Sequence, residues 1–448
     1  MPRQLTVFST GILLAAAGCG LTQDAADPVT ESADKLLSTR NDFGTAETFQ
    51  VTGAVDFTNP FFQQLGTNPR TCATCHVSGQ GWTMTSDAND HLFNATGGLA
   101  PLFNPVDEGS RPDEDLSTKD AREAAFEPTT IAHGLTRFTR RVPANAEFTV
   151  LAVDDPSGFS TPSAILNFRR PAPTMNEAKV SSILWTSGPV QDIPTAFGNV
   201  LRGGATLHEQ RDPTNPVPLA QQQQASALFM GLFFAQISDD HAGRLDAAGA
   251  LGGPANLSTF PFTLGMNDPA APGFDRHVFS LYDAWAGSSN DARAKIARGQ
   301  DVFNNNEFDI TGVPGINDLL GQDPVRGTCS TCHNTPNVGG HSVIRMVDLG
   351  IANAPACDQA LPILTLQNNA TGETRRICDM GFGGSSGKWA DLARFRVPPL
   401  RGLAARAPYF HDGRAKNIHE VIDFYENRFN IDLSDGKGDD LEAFLGAL

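Results

Sequence analysis

Two stretches of the chain carry residue types suited to metal and redox chemistry at a fixed, short spacing. Residues 70–79 read RTCATCHVSG and residues 327–336 read GTCSTCHNTP. Each contains Cys-x-x-Cys-His, the spacing of a c-type haem attachment site. Two intervening residues put both thiols on one side of a single helical turn. There they reach the two vinyl groups on one edge of the macrocycle. The histidine that follows turns its imidazole to the iron as proximal ligand. The pattern assigns Cys72, Cys75 and His76 to one covalent haem, and Cys329, Cys332 and His333 to a second. A zinc site of four thiolates would not call for a histidine after each pair. A thioredoxin-like dithiol would sit near a βαβ pattern, which neither copy has.

The N-terminus reads MPRQLTVFSTGILLAAAGCG. A basic Arg3 and an apolar run too short to span a membrane predict an export signal over residues 1–19. The run ends Ala16-Ala17-Gly18-Cys19, similar to a lipobox, so Cys19 is the expected lipidation site. Ordinary cleavage near Ala15 to Ala17, releasing a soluble protein, is the alternative. Either route leads to the periplasm or cell envelope, with a lipid anchor as the sole membrane contact. Covalent haem attachment, which bacteria perform outside the cytoplasm, fits that address. The polar, acidic residues 20–45 read as a disordered tether. Of seven cysteines, Cys357 and Cys378 remain. In an oxidising compartment such a pair is most simply a disulfide. The formal charge of −17 argues against nucleic-acid binding and suits a basic electron-carrier partner.

The elements that must position these groups are mainly α-helical, with a few short strands and long loops. The 43 Gly and 30 Pro match a fold in which cofactors supply much of the core. Phe57, Phe61 and Phe62 precede the first motif and are expected to pack on its porphyrin. Residues 143–156 alternate in part and predict a strand; residues 220–238 lack a breaker and predict one helix. Residues 290–304 predict a helix leading into the second motif. Residues 361–377 predict a hairpin turning at Asn368 to Gly372. Ile418, Val421, Ile422, Tyr425 and Phe429 share one face of a helix over 417–429, and a closing helix follows. Residues 46–289 are expected to form an N-terminal haem domain with insertions, and residues 290–448 a C-terminal cytochrome-c-like domain.

The stretch FRVPPLRGLAARAPYFHDG (395–413), then IHEVIDFYENRF and the closing DLEAFL, resembles the C-terminal haem domain of bacterial di-haem cytochrome c peroxidases and their relative MauG. RRPAPTMN followed by SSILWTSG (169–188) is similar to the family's stretch between the haems. The resemblance implies two cytochrome-c-like domains, one haem each, with His76 and His333 as proximal ligands. It places a second axial ligand twelve residues after the glycine of the P-Y-F-H-x-G motif, which here is Tyr425, the MauG-type choice where the peroxidases carry methionine. Met346 and Met380 are rivals on other segments. It places His411 near the haem propionates and Trp185 between the haems as an electron relay. On the distal side of the first haem, TLHEQRDPTNPVPL (206–219) keeps the family glutamine as Gln210 but carries Pro218 at the acid-base glutamate position. His208, with Glu209 as a second choice, is the expected substitute for moving a proton. The resemblance further implies peroxide or another oxidisable substrate, a small redox protein or cytochrome as electron donor, and a calcium ion that members often hold between the domains. A di-haem electron-transfer cytochrome without catalysis is the alternative.

Overall fold

The structure is a computed structural model that describes residues 37–105, 113–187, 192–354 and 356–448. The expected export signal, Cys19 and most of the expected tether lie outside these residues. Among the described residues helix outweighs strand, 33% against 16%. The strand share exceeds the few short strands expected.

The end of the expected tether is structured. Ser38–Asn41 and Gly44–Gln50 form an antiparallel hairpin. Its turn closes on Asn41, whose side-chain oxygen accepts from the Phe43 and Gly44 amides. Gly44 is required because a Cβ there would lie 2.1 Å from the Ser238 carbonyl. The hairpin continues through Leu232–Asp239 and Gly243–Arg244 into a four-stranded antiparallel sheet.

That sheet overturns the single helix expected over 220–238. The helix runs from Leu219 to Met230 and stops at Gly231. A Cβ on Gly231 would lie 2.3 Å from Gln50 Oε1 and 2.8 Å from Val51 Cγ2, so the neighbouring strand passes close to the helix end. LFFAQIS then pairs with Gly44–Gln50, Phe49 opposite Phe233, and is buried through most of its length. A short apolar run buried on both faces has no period to separate strand from helix.

The remaining elements fall where the patterns put them. Phe148–Asp154 is a strand, Ile363–Asn368 and Thr374–Ile377 form the hairpin, and all three make one sheet. That sheet crosses the expected division near residue 290. Helix Asp291–Asn305 packs on the closing helix Lys437–Gly446, close enough that a Cβ on Gly299 would meet the Asp440 carbonyl at 1.8 Å. Phe279, Phe303 and Phe444 fill their interface, and Phe303 lies 6.1 Å from the His333 ring. Around the first motif, Phe61 packs on Phe229 and lies 6.1 Å from the His76 ring, with Phe62 and Trp82 beside it.

Candidate haem sites

Both motifs read Thr-Cys-x-Thr-Cys-His, and the threonines build the turn. The Thr71 amide donates to the Thr74 hydroxyl at 3.0 Å, and the Thr328 amide to the Thr331 hydroxyl at 3.1 Å. In return the Thr74 and Thr331 amides donate to the Thr71 and Thr328 carbonyls, each at 3.0 Å, which closes one helical turn over Cys72–Thr74 and Cys329–Cys332. Each histidine amide then donates to the carbonyl of the first cysteine, at 3.1 Å for His76 and 3.0 Å for His333. The signal for these threonines was present in the sequence and was missed.

The imidazoles are fixed through Nδ1. His333 Nδ1 lies 2.5 Å from the Gly339 carbonyl, and His76 Nδ1 lies 3.3 Å from the Trp82 carbonyl. A carbonyl only accepts, so Nδ1 carries the proton and Nε2 keeps its lone pair for coordination. Burial pulls both rings down to about 4, so both are neutral, the ligating form.

Cys329, Cys332, His333 and Tyr425 line one cavity of about 170 Å³. Met346 and Met380 do not. Its walls are mostly apolar, with Phe303, Phe308 and Phe429 among them. Burial pushes both thiols up to about 12. Burial, with the two thiols nearby, also raises the Tyr425 phenol. One part of the wall carries three cations, Arg170, Arg396 and Arg406, with His411, whose ring burial pulls down towards the neutral form, beside them. Nε of each arginine and Nδ1 of His411 are buried without a hydrogen-bond partner. An apolar slot with two thiols, an anchored imidazole and unpaired cationic donors fits a covalent haem, flat and apolar with two carboxylates. Cys329 and Cys332 would hold it, His333 would be proximal, and the arginines with His411 would face the carboxylates. The three arginines were not singled out from sequence, although they stand among the few polar residues of the runs RRPAPT and FRVPPLRGLAAR.

His411 is 2% exposed and stacks on Phe395, with ring centroids 3.9 Å apart. Its Nε2 lies 3.8 Å from Asp379. Burial alone would raise the Asp379 carboxyl, but Arg169, bonded at 2.6 and 2.7 Å, holds it well below the usual range. Trp185 lines the same cavity, 9% exposed, and its Nε1 donates to the Arg170 carbonyl at 2.8 Å.

At the first motif, the end of helix Ile193–His208 meets the loop before Cys72. Asn68 donates to the His208 carbonyl, and the Thr67 and Asn68 amides to that of Glu209. Gly66 allows this approach, since a Cβ there would lie 1.8 Å from the Glu209 carbonyl. The three candidates separate here. His208 stands near enough to His76 to help lower it. Glu209 is turned inward, accepting from the Leu65 amide at 2.7 Å and the Cys72 thiol at 3.3 Å. Gln210 is exposed, with a left-handed φ of 56°. Cys357 and Cys378 are bonded, with Cα atoms 6.1 Å apart.

No family model matches the chain. It is 29% identical to a cytochrome-c peroxidase IdrP2 of Denitromonas iodatirespirans over 136 residues, 28% of this chain and 36% of the relative. It is 30% identical to the cytochrome c551 peroxidase of Nitrosomonas europaea over 142 residues, 30% of this chain and 36% of the relative. The matches thus span about a third of the length of these curated relatives. A solved MauG-like protein associated with microbial copper homeostasis aligns with a TM-score of 0.36 at 16% identity, covering 62% of this chain and 73% of that one. Over these stretches, then, the chain is similar in sequence to bacterial cytochrome c peroxidases.

Proposed function

We propose that the chain is an exported di-haem c-type oxidoreductase of the peroxidase/MauG kind, reacting with peroxide at the N-terminal motif and exchanging electrons through the C-terminal one. The observation that carries the reading is the repeated turn, in which two thiols and an Nδ1-anchored neutral imidazole recur in one fold. When bound, the two haems supply the one-electron chemistry. His76 and His333 offer Nε2 as proximal ligands. Tyr425 offers a phenolate, a hard anionic oxygen that favours ferric iron and lowers the potential. Trp185 supplies an indole at the cationic end of the second cavity.

Cleaving a peroxide needs a group that moves a proton from one oxygen to the other. With Pro218 in the glutamate position, His208 and Glu209, beside His76 and Cys72, are the groups we assign to hold one, and Gln210 is exposed. This leans away from efficient peroxide removal and towards oxidation of a protein or small molecule, with electrons from a small redox protein or cytochrome. Export, with anchorage through Cys19, belongs to the same reading. A second reading, a non-catalytic electron-transfer cytochrome, is favoured by the place of His208 near His76, where it could be a sixth ligand.

Protein matured in a host with haem-attachment machinery should show two haem additions by mass. The ferric spectrum should contain one high-spin or exchangeable site, and peroxide titration should perturb it. Tyr425→Phe should alter the spectrum of the C-terminal haem and raise its potential. One haem or none rejects the proposal. Two low-spin irons inert to peroxide leave the electron-transfer reading. An unchanged Tyr425→Phe spectrum reduces that residue to core packing.

A further inference from the structure

Arg170 sits where the two motif regions meet, and it is 4% exposed. Its Nη2 donates to the Met84 carbonyl at 2.5 Å, in the segment that follows the first motif. The same nitrogen donates to the Arg406 carbonyl at 3.1 Å, in the run leading to His411. Its amide donates to the His411 carbonyl at 2.7 Å, and its own carbonyl accepts from Trp185. One residue thus ties the first-motif segment, the C-terminal segment and the indole together.

The guanidinium is unusual in its company. Burial and repulsion from Arg406 pull it down to about 9, which still leaves it charged at neutral pH. Arg406 is itself buried. A buried charge without an ionic partner is costly, so its hydrogen bonds must matter. Two carbonyls converging from separate segments on one cation are the beginnings of an oxygen-ligated metal site. Calcium, however, takes six to eight oxygens, usually with carboxylates among them. Among the described residues no group of three His, Cys, Asp or Glu is placed to hold a metal. Two neighbouring guanidiniums would also repel a dication.

We propose that the Arg170 guanidinium is the built-in cation of this crossing, holding the two motif regions in register without the divalent ion that the resemblance leads one to expect. The inference rests on the di-haem reading only in treating the crossing as the junction between two haem sites. An always-charged planar fork can bind two carbonyls at fixed angles, whereas a metal would need further ligands.

Calorimetric titration of the wild-type holoprotein with calcium chloride should show no uptake up to about 1 mM, the weak end of calcium sites. Treatment with EGTA should leave its melting temperature and ferric spectrum unchanged. Arg170→Lys, which keeps the charge, should remain indifferent to calcium. Arg170→Asn removes the cation and offers an amide oxygen beside the two carbonyls; it should melt lower, and calcium should restore part of the loss. Calcium uptake by the wild type with a shifted spectrum or melting temperature would overturn the proposal. So would a folded Arg170→Asn protein that melts like the wild type, or melts lower and ignores calcium. If Arg170→Asn does not fold, the wild-type titration and Arg170→Lys decide alone. The haem count by mass is read separately, so a missing haem sinks the functional reading whatever calcium does.

Discussion

Glu177 shows how one buried group can set the charge of a neighbouring site. It is 1% exposed, and its Oε2 has no hydrogen-bond partner. Burial pushes its carboxyl up to about 8, with Arg396 working in the opposite direction. At neutral pH it is therefore mostly protonated, and the Arg396 charge on the cavity wall stays uncancelled. The folded value lies above the ordinary one of about 4.3. The favourable contribution is then fully present below about pH 4.3 and is lost as pH rises towards 8, because the folded state holds a proton that the unfolded chain releases. Glu177→Gln removes that loss. Denaturant titrations at a series of pH values should show the variant gaining on the wild type above pH 5, by roughly 2–5 kcal/mol at pH 8 on the scale of 1.36 kcal/mol per unit. Parallel stability profiles for the two proteins would mean that Glu177 is ionised or solvated in the fold. The same arithmetic runs the other way for Asp379: its value is depressed, so its contribution holds above about pH 4 and fades below it.

At the scale of elements, the Cys357–Cys378 bond straps the hairpin Ile363–Asn368 and Thr374–Ile377 across a separation of 21 residues. Cys378 precedes Asp379, the carboxylate that Arg169 holds beside His411, so the strap ends at the network behind the second cavity. Replacing both cysteines by serine should cost roughly 3 kcal/mol in urea unfolding, the chain-entropy value for a loop of this size. A loss below about 1 kcal/mol would place the hairpin's stability in its sheet pairing with Phe148–Asp154 instead. The strap and the hairpin were legible because both are local: two leftover cysteines, and turn residues between alternating runs. Helix 417–429 was legible for the same reason, with apolar residues at helical spacing and an Asn417 side chain that caps it. The strand Leu232–Asp239 was not, because its identity depends on Gly44–Gln50, far away in sequence and assigned in part to a tether. The cysteines with His76 and His333 could be read as spacings and Tyr425 was pointed to by the family resemblance, whereas the cationic wall could not be read from either. Arg170 joins Arg396 and Arg406 only when two segments more than 200 residues apart in sequence pack.

For the whole molecule the dominant quantity is charge. The sequence carries 50 acidic against 33 basic side chains, a formal −17. Yet the cations Arg170, Arg396 and Arg406 are drawn inside to the cavity wall, each less than a tenth exposed. Burying cations at the cofactor site leaves the outer surface more acidic than composition alone suggests. A surface of one sign steers partners of the other and raises their encounter rate, an effect that salt screens over a Debye length of about 8 Å at physiological ionic strength. The donor in the proposed reaction should therefore be a basic redox protein. Stopped-flow reduction of the holoprotein by a basic cytochrome should slow at least about tenfold between low salt and about 0.3 M, while an acidic donor should speed up. The internal electron exchange, measured after a reducing flash, should be insensitive to salt, because the groups at that junction are buried and screened little. Equal salt dependence for basic and acidic donors would show that docking uses a local patch rather than the molecule's overall field.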